Sequence, residues 1–186
     1  MSTEISNPTL LILVAVLVLL AVFAIAVYLL QRKKTRSLEL RKQFGLEYER
    51  ELAQQGSVTK AESALAARRA RVEKLALHPL PPAQRDRFLA DWHTVQSRFV
   101  DHPKGSLIEA DELITSLMQA RGYPVNGFDQ TAEDISVNHS GIVDHYRSAH
   151  AIAVRPTSSE ANTEELRSAM IEYRTLFDEL VQTPAA

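Results

Sequence analysis

Three of the six histidines in the chain, His139, His145 and His150, lie within twelve positions, and Asp134 stands just before them. Imidazole nitrogens and carboxylate oxygens are common metal ligands, and histidine is also the most frequent general base in enzymes. This stretch is therefore the first candidate for chemistry: a metal site, or a catalytic site, built from these four residues.

The spacing of the histidines instead favours one amphipathic helix. At 100° per residue, His145 and His150 diverge by about 140°, whereas a helical metal pair uses spacings of three or four residues. We expect His150 to be half-buried beside a hydrogen-bonding neighbour and His145 to lie at the edge of the apolar face. His139 falls where the helix starts, and Asn138 or Ser140 would cap it. The predicted apolar face contains Ile142, Tyr146, Ala149 and Ala153.

Other motifs for catalysis or cofactor binding are missing from the sequence. Without cysteine there are no disulfides, thiolate zinc sites or cysteine nucleophiles. No glycine-rich phosphate loop or G-x-S-x-G turn occurs. Adjacent carboxylates at Glu109, Asp111 and Glu112 would point apart on a helix, so we expect solvated surface there. These observations predict no cofactor, and a net charge of −2 gives no indication of nucleic-acid binding.

An apolar segment, Leu10 to Leu30, contains 21 residues without a charge, glycine or proline. As a helix it is about 31 Å long, close to the ~30 Å hydrocarbon core of a bilayer. The sequence therefore predicts a transmembrane helix. A cleaved signal peptide is the alternative, but it needs positive charge before a shorter apolar run. The first nine residues contain Glu4 and no lysine or arginine.

Basic residues follow the apolar segment and predict its direction. Lysine and arginine are retained on the cytoplasmic side, so residues 1–9 should lie outside and the rest of the chain inside. Residues 31–74 contain 12 Lys/Arg and 6 Asp/Glu, whereas residues 75–186 contain 9 and 16. We expect six side chains to lie beside anionic headgroups: Arg32, Lys33, Lys34, Arg36, Arg41 and Lys42.

Helical periodicity continues after the anchor, with no convincing strand alternation. We predict an all-α protein in which a transmembrane helix (10–30) and a basic segment (31–37) precede a soluble domain (38–183) of about five to seven helices. Residues 184–186 would be a tail. The clearest apolar stripe is in the last helix: Leu166, Ala169, Met170, Tyr173, Leu176, Phe177 and Leu180.

Short-range signals predict where the helices begin and end. Gly45 allows a break and Gly56 an end. Thr59 with Glu62, and Asn162 with Glu165, have capping-box spacing, and Asp129 is a further candidate cap. In the predicted helix that follows Thr59, three arginines are expected on the solvent side: Arg68, Arg69 and Arg71.

Three longer strings, "DWHTVQSRFVDHPKGSLIEADELITSLMQARGYPV", "DISVNHSGIVDHYRSAHAI" and "NTEELRSAMIEYRTLFDEL", resemble a family of bacterial proteins described as hypothetical membrane or secreted proteins. The resemblance covers most of residues 38–181. It implies a bacterial source and an anchor in the cytoplasmic membrane. The family has no established activity, so the resemblance assigns no functional residue.

Together these features predict a membrane-anchored interaction or scaffold protein whose partners are the lipid bilayer and at least one protein, without nucleic acid. Two alternatives remain. One is an enzyme or metal-binding domain centred on His139, His145 and His150, with Asp134. The other is an exported domain behind a signal peptide.

Overall fold

Eight helices and no strand are present in residues 7–155 and 161–182, the parts of the chain that the computed structural model describes. The prediction of an all-α protein with one long apolar N-terminal helix and about five to seven further helices is confirmed. The helices are α1 (Asn7–Phe44), α2 (Leu46–Gln55), α3 (Val58–Val72), α4 (Pro82–Arg98), α5 (Pro103–Ala120), α6 (Phe128–Ser136), α7 (Val143–Ala153) and α8 (Thr163–Gln182).

The chain divides into two compact units, Met1–Lys42 and Gln43–Ala186. In the first unit, the large apolar side chains of the segment 10–30 are exposed, as at Leu19 (69%) and Leu30 (68%). A helix that is apolar on all sides without being covered by protein is typical of a membrane span. The full α1 has 38 residues, about 57 Å at 1.5 Å per residue, which exceeds the ~30 Å of hydrocarbon.

The main core of the second unit is formed by α4 to α8 and the segments between them. The ring of Trp92 stacks on that of Phe177 at a centroid distance of 4.6 Å. The predicted capping box of α8 is confirmed, since the Glu165 amide donates to Asn162 Oδ1 (2.9 Å) and the Asn162 amide donates to Glu165 Oε2 (2.8 Å). The predicted apolar stripe of α8 is also buried: Leu166, Ala169, Met170, Tyr173, Leu176, Phe177 and Leu180.

Helices α2 and α3 form a hairpin, and a glycine with positive φ stands at each end of α2. Gly45 (φ 52°) separates α1 from α2, and Gly56 (φ 63°) ends α2, as predicted. The predicted Thr59–Glu62 capping box is wrong. Ser57 precedes α3 without a side-chain capping bond, and Glu62 instead accepts a hydrogen bond from the Tyr48 hydroxyl at 3.0 Å.

The side-chain caps predicted for α6 and α7 are also wrong. Asp129 lies inside the first turn of α6, which Gly127 (φ 132°) precedes. Helix α7 begins at Val143 after Ile142, without a side-chain cap. In both places the backbone turn alone leads into the helix. The predicted apolar face of α7 is buried, with Ile142 half-buried at its entry.

Candidate functional site

His150 has the environment that its position on the α7 wheel predicts. It is half-buried, its ring stacks on Phe128 at a centroid distance of 3.7 Å, and its Nδ1 lies 3.0 Å from Asp111 Oδ1. The Tyr173 hydroxyl donates to the same oxygen at 2.6 Å. Because a carboxylate oxygen only accepts hydrogen bonds, Nδ1 of His150 is the donor in this contact.

Asp111 corrects the expectation that the acidic set on α5 is solvated surface. Its side chain is only 20% exposed and it accepts hydrogen bonds from two other helices, through Tyr173 and His150. Burial of Tyr173 raises its pKa well above the usual range, and the nearby charge of Asp111 raises it further. Tyr173 is therefore a neutral hydrogen-bond donor. Glu109 and Glu112 lie nearer the surface, as expected, and Glu109 pairs with Arg98.

The remaining predicted site residues have separate surroundings. His139 is buried in the α6–α7 connection, not in the first turn of α7, and its Nδ1 lies 3.1 Å from Glu179 Oε1. Burial lowers the pKa of His139 and thereby favours the neutral ring. The hydrogen bond and charge of Glu179 act in the opposite direction but have the smaller effect. His145 is exposed. Asp134 is fully buried and accepts from Arg71 Nε at 2.8 Å.

The four candidate metal ligands therefore do not converge. Over the described ranges, no group of three or more His, Asp or Glu side chains is arranged to hold a metal ion. Chemically, the histidine stretch supplies one carboxylate-oriented imidazole, His150, and one buried imidazole, His139.

A buried charged network, which the sequence did not predict, connects the α2–α3 hairpin to α6 and α7. Arg68 is only 5% exposed. Its Nη2 lies 3.0 Å from Glu51 Oε2 and 3.5 Å from Glu133 Oε1, and its Nη1 lies 3.5 Å from Glu47 Oε2 and 3.3 Å from Ser136 Oγ. The expectation that Arg68 covers the solvent side of α3 is wrong.

Arg71 belongs to the same network. Its Nη2 lies 2.7 Å from Asp134 Oδ1 and 3.1 Å from Glu133 Oε2. Burial lowers the pKa of Arg71, but the hydrogen bonds and charges of Asp134 and Glu133 outweigh that effect, so the pKa is raised. Arg69 points to the other side and pairs with Glu73, as expected for a solvated face.

Glu47 connects the network to α7. Its carboxylate accepts hydrogen bonds from both terminal nitrogens of Arg147, while Arg50 lies 3.7 Å from Glu47 and 3.5 Å from Asp144. One sequence signal points to this arrangement. Arg68 occupies the same helical face as the buried apolar residues of α3, which are Ala61, Leu65 and Val72.

A groove of about 400 Å³ lies between the end of α4, the start of α5 and the start of α8. Two of its lining residues expose large apolar side chains, Val100 (84%) and Ile171 (60%). Phe99 and Met170 also line it, and Arg167 stands at the α8 side. Exposed apolar side chains that line one concave surface are characteristic of interaction sites.

Six basic residues surround the C-terminal part of α1, and we call them the basic collar. All six side chains are exposed. At 100° per residue they point in all directions around the helix axis, not along one face. The collar consists of Arg32, Lys33, Lys34, Arg36, Arg41 and Lys42.

Helix α1 is the single helix in the described chain that is long and apolar enough to cross a membrane. No protein-family model, curated protein or solved structure matches the chain. The features that bear on function are therefore helix α1, the basic collar, the groove and the polar clusters.

Proposed function

We propose that the protein is a single-pass membrane protein whose helical unit binds a protein partner at the membrane surface. The observation that carries the proposal is the exposed, uncharged helix segment 10–30 directly followed by the basic collar. An apolar helix of this length is stable in hydrocarbon, where its backbone groups are bonded internally. The following folded unit is thereby confined to the membrane surface, which raises its effective concentration for membrane partners.

The proposed orientation places the N-terminus outside and residues after Leu30 inside. Its support is the distribution of charge, because the collar follows the apolar segment and residues 1–9 contain no lysine or arginine. The resemblance to bacterial membrane proteins favours the cytoplasmic membrane. In this orientation the collar lies beside anionic headgroups, where each basic residue contributes about 1 kcal/mol of attraction near the surface.

A topology experiment tests the anchor and its direction together. Two reporters are fused to the C-terminus of the full chain, one active only in the cytoplasm and one only outside it. We expect cytoplasmic activity, an uncleaved chain and retention in the membrane fraction after alkaline extraction. An active external reporter, or a chain shortened near Ala26, would instead identify an exported domain behind a signal peptide.

A matched variant identifies the role of the collar. Replacing its first four members, Arg32, Lys33, Lys34 and Arg36, by glutamine should produce a mixed orientation, because the charge difference across the span is reduced. Replacement of four exposed basic residues far from the span is the control and should leave the topology unchanged: Lys60, Arg87, Arg98 and Arg174.

The partner-binding part of the proposal is tested by site-specific photocrosslinking. A photoreactive residue at Val100 or Ile171 in the groove should give one discrete adduct in native membranes, and Gln119, an exposed position outside the groove, should not. Identification by mass spectrometry should return the same protein from both positions. Adducts of equal yield and variety at all three positions would contradict a specific partner.

An enzymatic or metal-dependent function is the second candidate, favoured by one observation. The Asp111 carboxylate contacts Nδ1 and orients the His150 ring, as carboxylates do for many general bases and metal ligands. Elemental analysis of the purified full chain tests the metal version. Stoichiometric metal that is lost in His150→Ala and His139→Ala, but kept in the exposed control His145→Ala, would replace the interaction proposal.

A further inference from the structure

The buried apolar side chains of the α2–α3 hairpin do not belong to the main core. The main core takes its buried members from α4 to α8 and the segment between α5 and α6. Five further side chains are buried in and beside the hairpin without belonging to that core: Phe44, Tyr48, Ala61, Leu65 and Val72.

Several charged side-chain contacts attach the hairpin to α6 and α7. Arg68 and Arg71 of α3 lie within 3.5 Å of Glu133, and Arg71 also binds Asp134. On the α7 side, Glu47 binds Arg147. We call these groups, with the weaker Arg50–Asp144 pair, the charged interface.

The charges on the two sides of this interface are complementary. The hairpin contributes three arginines and two glutamates, a balance of +1: Arg50, Arg68, Arg71, Glu47 and Glu51. Helices α6 and α7 contribute three carboxylates and one arginine, a balance of −2: Glu133, Asp134, Asp144 and Arg147. Long-range attraction therefore favours docking of the hairpin in this position.

An attachment made by charged contacts depends on every charged partner being present. A buried ion pair recovers little more than its own desolvation cost, yet the loss of one partner leaves an uncompensated buried charge. Glu47, Arg68 and Asp134 are all at least 94% buried. A single lost charge should therefore release the hairpin, while the apolar core of α4 to α8 keeps its own stability.

We propose that the α2–α3 hairpin opens from the α4–α8 core as one unit, and that the charged interface holds it in the closed position. In the sequence this hairpin is the link between α1 and the core. Opening separates the hairpin from α6 and α7 and uncovers the acidic residues Glu133 and Asp134. This device regulates how the core is presented and does not depend on which partner the core binds.

Hydrogen exchange of the full chain in detergent micelles, read by mass spectrometry, tests the proposal. In Arg147→Met, the amides of α2 and α3 should exchange at least about tenfold faster, because Glu47 loses its α7 partner, while those of α5 and α8 keep their rates. The matched control is Arg98→Met, which removes an exposed ion pair on α4 with Glu109. Equal acceleration in all helices, or no more acceleration than in the control, would overturn the proposal.

The unmodified chain supplies a second measurement that does not depend on the folding of a variant. In increasing urea, the amides of α2 and α3 should lose protection at a lower concentration than those of α5 and α8, through a sub-global opening. A single shared transition for all seven helices of the second unit would show that the hairpin does not open separately.

Discussion

Arg121, at the end of α5, donates a hydrogen bond from Nη1 to the backbone oxygen of Leu180 at 2.6 Å. The last four carbonyl groups of a helix have no partner within the helix, so a buried guanidinium here holds the last turn of α8 against the α5 end. Burial lowers the pKa of Arg121, but the guanidinium group stays charged in proteins.

Arg121→Met should destabilise the full chain by about 1–3 kcal/mol, because a buried carbonyl loses its charged donor. Thermal unfolding in detergent micelles, followed by circular dichroism, measures the change. Arg174→Met on the exposed face of α8 removes only an ion pair with Asp178 at the surface and serves as control. An equal change in unfolding temperature for both variants would show that the Arg121 contact contributes no more stability than the surface ion pair.

Gly122 follows α5 with φ 92°, and a Cβ atom there would lie 2.7 Å from the backbone oxygen of Ala76. Gly122→Ala should therefore cost about 2 kcal/mol or more, through backbone strain and a collision with main-chain atoms that cannot move independently. Gly105→Ala is the control, since that glycine lies in α5 with open space around it. It should stabilise the protein by about 0.5–1 kcal/mol. A smaller loss at Gly122 than at Gly45, where strain alone acts, would contradict the collision.

The buried tyrosines predict a loss of stability at alkaline pH. Burial, then the charge of Asp111, raises the pKa of Tyr173 and of Tyr146 in the folded chain. A group whose pKa is raised by folding contributes stability that is present below its unfolded pKa, about 10, and is lost as the pH rises above that value.

Denaturant unfolding between pH 8 and pH 11 should therefore show a declining free energy of unfolding above about pH 10. Tyr173→Phe should make this decline shallower, although it loses the hydrogen bond to Asp111. The difference in absorbance at 295 nm between the unmodified chain and Tyr173→Phe should show that Tyr173 ionises only as the fold is lost. Ionisation of Tyr173 near pH 10, while the fold is intact, would refute the assigned burial effect.

His139 predicts a loss of stability on mild acidification. Burial lowers the folded pKa of this ring, so the unfolded chain takes up a proton first as the pH falls. The stability from the neutral ring is present above the unfolded pKa, about 6.5, and is lost as the pH falls toward the folded value. His139→Gln should reduce this dependence between pH 7 and pH 5. His145→Gln, at an exposed position, should leave it unchanged, and equal curves for both variants would count against His139.

The capping box of α8 provides a local prediction with a control inside the same chain. Asn162→Ala should cost about 1 kcal/mol, because Asn162 Oδ1 accepts the Glu165 amide at 2.9 Å. Thr59→Ala should have little effect, since α3 starts without a side-chain cap although its sequence has the same spacing. Urea midpoints of the two variants decide this, and a larger loss at Thr59 would invert the assignment.

The apolar stripes, the breaks at Gly45 and Gly56 and the apolar helix α1 were all predictable from the sequence. Each depends on forces within a few residues: backbone freedom at glycine, helical spacing of apolar side chains, and the length of an uncharged run. The side-chain caps predicted at Thr59 and Asp129 are absent, so a local sequence signal does not by itself determine where a helix begins. A capping sequence needs the helix to begin at one particular residue, and α3 and α6 each begin two residues before the predicted start.

Only the tertiary structure decided the polar contacts between different helices. His150 and Asp111 are 39 residues apart, and Tyr173 and Asp111 are 62 apart, so their hydrogen bonds depend on how α5, α7 and α8 pack. Arg68 looked like a solvent-facing arginine because no local feature shows that three acidic residues from α2 and α6 surround it. Burial of a charge is favourable only when partners from other helices replace its water, and this information is absent from any single segment.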